Sequence, residues 1–123
     1  MSDAVLASAI QQIETARAAG QVPVVRTFFD EPTFTATHVV YDPASKRAAI
    51  IDSVLDFDQA SGRTSTASAE AVVAFVRAEG LTVDWLLETH AHADHLSAAP
   101  FLKQQVGGQL VIGTAITTVQ DTF

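Results

Sequence analysis

Residues 81–95, LTVDWLLETHAHADH, decide the fold. The first nine read as a strand, and it stops where three of the chain's four histidines and an aspartate crowd into six positions. Neutral imidazoles and a carboxylate at that density are metal-ligand types. In an extended segment residues two apart point the same way, so His90 and His92 converge on one point, while Asp94 and His95 follow as the chain turns into a helix. The bland alternative is a solvated loop with a helix-capping Asp94 and incidental histidines; that suits isolated histidines better than a cluster.

On the carboxyl side, LSAAPFLKQQVGG (96–108) has the pattern of a helix with Pro100 near its first turn, and QLVIG (109–113) that of a short strand. On the amino side, AEAVVAFVRAEG (69–80) puts Val72, Val73, Phe75 and Val76 on one face of a helix that Gly80 closes. By spacing, Phe75 and Trp85 are core. TFTATHVVYD (33–42) and RAAIID (47–52) are β-like runs joined by DPASK, which predicts an antiparallel hairpin, and SVLDFDQASGRTSTAS (53–68) reads as a polar loop. The order after the hairpin is therefore βαβα, an α/β arrangement. Such crossovers are right-handed, give parallel strands, and gather functional loops at the carboxyl ends of those strands, where the histidines sit.

At the amino end Val5, Leu6, Ala9, Ile10 and Ile13 repeat with helical spacing, Asp3 is placed to cap and Gly20 to terminate. Residues 1–22 are thus expected to be an amphipathic leader helix and connector, and residues 23–123 the main unit. Composition excludes several classes. There are no cysteines among the 123 residues, so disulfide frameworks and thiolate sites are ruled out. No apolar run approaches the ~18 residues of a membrane span, and no basic leader precedes the first helix. A net charge of −7 with scattered Lys and Arg argues against a phosphate-tracking surface. The expectation is a cytoplasmic, soluble protein without nucleic-acid or membrane partners.

The run THAHADH (89–95) after a hydrophobic strand resembles the T-H-x-H-x-D-H signature of the metallo-β-lactamase superfamily. Together with FFDEPTFTATHVV, AAIIDSVLDFD, GRTSTASAE and ETHAHADHLSAAPFLK, it is similar to the bacterial β-lactamase-like proteins grouped with persulfide dioxygenases, relatives of glyoxalase II. The likeness runs from about Thr27 to Phe123. It implies the amino-terminal half of an αββα sandwich, a mixed sheet with helices on one face. By this resemblance His90 falls on an iron ligand of the dioxygenases, or a first-zinc ligand of the hydrolases. His92 matches a first-zinc ligand of two-metal hydrolases, and in one-iron dioxygenases lies beside the metal. Asp94 and His95 match second-metal ligands, or groups that orient ligands and water, and Asp94 is the candidate catalytic residue. Asp52 matches a common acidic position, read here as a strand-end aspartate bonding nearby amides, and His38 is read as structural.

The family fold has two such halves with the metal between them. Further ligands and the glutathione-gripping residues come from the second half, which these residues do not contain. Ile116, Val119 and Phe123 have helical spacing up to the last residue, so a fragment of a longer protein is expected. The resemblance implies a parent enzyme that uses Fe(2+) and dioxygen to oxidise a thiol persulfide to sulfite. The alternatives are a Zn(2+) thioester hydrolase of the glyoxalase II kind, or a non-catalytic module that self-associates as a homo-oligomer.

Overall fold

The computed structural model describes residues 2–122. Helix α1 (Asp3–Ala18) is followed by strands β1 (Val24–Asp30), β2 (Thr35–Tyr41), β3 (Arg47–Ile51), β4 (Val54–Asp58) and β5 (Arg63–Ser65). Then come α2 (Ala67–Ala78), β6 (Thr82–Glu88), β7 (Leu96–Ser97), α3 (Ala99–Val106), β8 (Gln109–Ile112) and α4 (Ile116–Thr122). Five strands form a sheet in the order β1-β2-β3-β6-β8. Its first two pairings are antiparallel and the next two parallel, as the hairpin and the crossovers through α2 and α3 require. A smaller antiparallel sheet has the order β5-β4-β7.

The core lies on one face of the large sheet. Val39, Ile50 and Leu86 are register neighbours on β2, β3 and β6, and each is at most 1% exposed. They meet Val72, Val73 and Val76 from α2 and Ala99 and Leu102 from α3. The helical spacing of α2 thus turns its valines onto the sheet, and Gly80 follows it in the left-handed conformation (φ 66°) that suits glycine.

Trp85 is not core. The β3–β6 register slips between Ala48 and Ala49, leaving Asp84 as an extra residue on β6. Across that bulge Val83 and Leu86, three apart, are both buried, while Trp85 is 46% exposed. Spacing alone misplaced it because a bulge changes the phase of a period-two pattern. Two rows of paired residues, Val25–Val40–Ala49–Trp85 and Thr27–His38–Ile51–Leu87–Val111, run across the side of the sheet that α2 and α3 leave bare. His38 belongs to this face and meets the Thr27 hydroxyl at 2.9 Å. Phe75 is half-buried at the core's rim, edge-on to Phe28.

Four further expectations need correction. Residues 53–68 are not a loop: β4 and β5 pair as a hairpin whose turn is closed by the Asp58 carboxylate, which accepts from Ala60 N and the Ser61 hydroxyl. Val54 is buried and Leu55 packs on the core, but beyond them most of the pair is exposed, and its polar sequence reflects that. The stretch GQVPVV (20–25) reads as a connector, yet Val24 and Val25 open β1; an edge strand with a bare face lacks the alternation that marks a half-buried one. The chain does not enter a helix at Asp94 and His95; β7 intervenes and α3 starts at Ala99. Finally, Ser2 rather than Asp3 caps α1, accepting from Val5 N. Helix α1 has no buried residue, nor has α4, which carries Ile116 and Val119; Phe123 lies outside the described residues. Among the described residues no helix is long and apolar enough to cross a membrane.

Candidate metal centre

β3 and β6 run parallel, so their carboxyl ends, Asp52 and Glu88, come out at the same edge of the sheet. The loop 89–95 leaves from there and is caught at its far end by β7, which pairs with β4 through Val54–Ser97 and Leu55–Leu96. Both ends of the histidine segment are therefore fixed by strands that precede it in the chain.

Asp52 organises the loop. Its carboxylate accepts from Thr89 N (2.8 Å), the Thr89 hydroxyl (2.7 Å) and His92 Nε2 (2.9 Å). Partial burial works against its charge, but the Thr89 amide, the Thr89 hydroxyl and His92 outweigh it and hold the carboxyl below its ordinary pKa. Asp52 therefore accepts, and everything around it must donate.

That condition sets the state of the imidazoles. Thr89 spends its only hydroxyl proton on Asp52, so its oxygen, 2.8 Å from His90 Nδ1, accepts from that nitrogen and leaves Nε2 of His90 with a bare lone pair. His92 donates Nε2–H to Asp52, which leaves Nδ1 bare, and this nitrogen lies 3.8 Å from Asp94 Oδ1. His95 donates Nδ1–H to the Leu96 carbonyl at 2.9 Å, leaving Nε2 bare. Metal-binding histidines have this form, one nitrogen donating to an oxygen and the other free to ligate. The ring centroids of His90 and His92 are 4.2 Å apart, those of His92 and His95 4.3 Å.

The donor set fits a metal ion. His95 Nε2 is buried and has no hydrogen-bond partner, an arrangement that costs free energy unless something else fills its lone pair. Ligand atoms of His92, Asp94 and His95 lie within 4.8 Å of one another. Those of Asp52, Glu88 and His92 do too, but there His92 presents the protonated Nε2, so this second group holds the ring rather than an ion. His90 belongs to neither group, though its ring packs on His92. Asp94 is held by its own backbone N–H and by the Thr35 hydroxyl (3.0 Å), which lower its pKa. A cleft of about 1050 Å³ opens in front, lined by Pro32, Phe57 and Arg63 together with His92, Asp94 and His95. Sequence reasoning picked out the contiguous histidines and Asp94. It missed Thr35, Glu88 and Ser97, which different strand pairings bring to the site: Glu88 by the parallel β3–β6 pair, Ser97 by the antiparallel β4–β7 pair and Thr35 from the antiparallel strand β2.

A family model described as the metallo-beta-lactamase superfamily matches residues 30–118. A probable metallo-hydrolase of Burkholderia pseudomallei is 57% identical over 99 residues, 80% of this chain and 34% of that protein. The human mitochondrial persulfide dioxygenase ETHE1 is 29% identical over 108 residues, 88% of this chain and 38% of that one. The crystal structure of ETHE1 from Myxococcus xanthus superposes with a TM-score of 0.61 at 26% identity, covering 74% of this chain and 36% of that one. The chain thus spans about a third of the length of these curated relatives.

Proposed function

The chain belongs to the metallo-beta-lactamase superfamily, and from that premise we propose that it supplies the histidine-rich side of a metal centre in an enzyme acting on glutathione-type thiol substrates. The reaction we assign is that of a persulfide dioxygenase in the cytoplasm. The observation that carries the metal centre is the hydrogen-bond network that leaves His90 Nε2, His92 Nδ1 and His95 Nε2 each with a bare lone pair. The likeness to ETHE1 proteins supports the choice of reaction.

His90 would hold Fe(2+), with His92 beside it and His95 and Asp94 facing the cleft. The ion supplies one-electron chemistry with dioxygen, through which the terminal persulfide sulfur leaves as sulfite and water returns the thiol. Asp94, half-exposed and steadied by Thr35, is the catalytic residue. Its oxygens accept from water or from the substrate sulfhydryl and so orient them in the cleft. Pro32 and Phe57 give the cleft apolar walls, and Arg63 adds a cation for an anionic thiol.

A second reading is a Zn(2+) thioester hydrolase. It is favoured by the separate grouping of His92, Asp94 and His95, which suits a second ion, and by the likeness to a probable metallo-hydrolase. The two part in one experiment on the protein expressed from its complete coding sequence in minimal medium. About one iron per chain and oxygen uptake with glutathione persulfide are expected. Two tightly held zinc ions, with rapid thioester hydrolysis and no oxygen uptake, would establish the hydrolase instead.

A further inference from the structure

Glu88 ends β6 immediately before the ligand loop, and its side chain is 11% exposed. Oε1 accepts the hydroxyl proton of Ser97, whose oxygen in turn accepts from Ala99 N (3.1 Å), the first residue of α3. Oε2 is buried, has no hydrogen-bond partner, and stands 3.2 Å from His92 Nε2. Leaving a carboxylate oxygen buried and unpaired is costly, so its place beside His92 needs a reason.

We infer that Glu88 is a positioning residue which, with Asp52, fixes the orientation and tautomer of His92, an inference that rests on the metal-centre reading above. Asp52 takes the Nε2–H from the end of β3, and Glu88 faces the same nitrogen from the end of β6. A ring rotated or re-protonated to present Nε2 toward the cleft would turn a carbon or a bare lone pair against two carboxylates. One carboxylate accepting the Nε2–H and a second facing the same nitrogen therefore exclude the wrong nitrogen, where one would only disfavour it. The link through Ser97 ties the Glu88 side chain to the start of α3. Glu88 touches neither substrate nor the reacting atoms; it acts through His92.

The test uses Co(2+) as probe on the protein expressed from its complete coding sequence, reading affinity by titration and the visible absorption of the saturated protein. Replacing Glu88 by leucine should weaken cobalt binding about 10–100-fold, as for the loss of other groups that orient a metal-binding histidine, and should change the absorption band. Glu88→Gln, whose amide oxygen can face Nε2 while its NH2 turns to Ser97, should recover most of the affinity. A Glu88→Leu protein that melts earlier but keeps wild-type affinity and spectrum would overturn the inference. If that variant does not fold, Ser97→Ala decides: it frees the Glu88 side chain, and weaker cobalt binding supports positioning while unchanged binding defeats it. Wild-type protein that takes up no cobalt sinks the metal centre itself, a failure distinct from a wild type that binds and a Glu88 variant that does not care.

Discussion

At Asp52 the backbone sits in the left-handed region, with φ 55°. Its N–H donates to the Leu87 carbonyl and its own carbonyl accepts from the Thr37 hydroxyl, each at 2.9 Å, while the carboxylate holds Thr89 and His92. A substitution there has two separable costs. Alanine loses the carboxylate bonds and also meets the steric penalty of left-handed backbone; glycine loses only the bonds. Asp52→Ala should therefore be less stable than Asp52→Gly by about 1 kcal/mol in urea denaturation, although glycine normally costs more than alanine. At the proposed ligands, in the protein expressed from its complete coding sequence, His90→Ala should abolish persulfide-dependent oxygen uptake, read with an oxygen electrode, while His92→Ala keeps part of the metal, read by plasma emission. The contiguous residues of the candidate site were legible as a cluster because their chemistry sits in one stretch. Asp52 was read as bonding nearby amides, yet the amide it holds is 37 residues away, and the Thr35–Asp94 contact spans 59. Partners at that distance are set by strand pairing, which no local pattern encodes.

Elements whose faces differ in wetness were readable: the β2–β3 hairpin, α2 and α3 stand where alternation or helical spacing puts them, while β6 and β8 were found as apolar runs, β6 with its phase broken by the bulge. β1, the β4–β5 hairpin and β7 were not. β1 is an edge strand with a bare face, the β4–β5 hairpin is mostly exposed beyond Leu55, and two residues of β7 carry no period. Where spacing was trustworthy the energetics follow from it. Leu102, fully buried between α3 and the sheet, should cost about 2–5 kcal/mol on truncation to alanine, measured by denaturant midpoint. The β2–β3 turn makes a prediction in pH. The Ser45 hydroxyl and amide, then the Ala44 amide, hold the Asp42 carboxyl below its ordinary pKa. A folded pKa below the unfolded one stabilises the protein above about pH 3.9 and is lost as the pH falls through the folded value. Asp42→Asn should accordingly flatten the acid limb of a stability profile and leave its shape near neutrality unchanged.

For the molecule as a whole the outstanding feature is the sheet face that α2 and α3 leave bare, with Val25, Trp85 and Val111 each 40% exposed or more. Covering several hundred square ångströms of it at ~25 cal/mol per Å² offers on the order of 10 kcal/mol before association entropy is subtracted. These 123 residues by themselves should then form a homo-oligomer face to face and show no turnover. Sedimentation should find dimers or larger species, and Trp85→Lys should shift them toward monomer; a wild-type chain that stays dispersed as a monomer would refute the pairing. The parallel pairing of β3 with β6 has one more consequence, for portability. The imidazoles travel with residues 88–97, but the carboxylate that sets two of their tautomers stays behind on another strand. A synthetic peptide of that stretch, or the loop grafted onto a foreign turn, should bind cobalt about 10–100-fold more weakly than the folded protein. The proposed metal centre is in that sense not a module that can be cut out and moved, because part of it is the topology of the sheet.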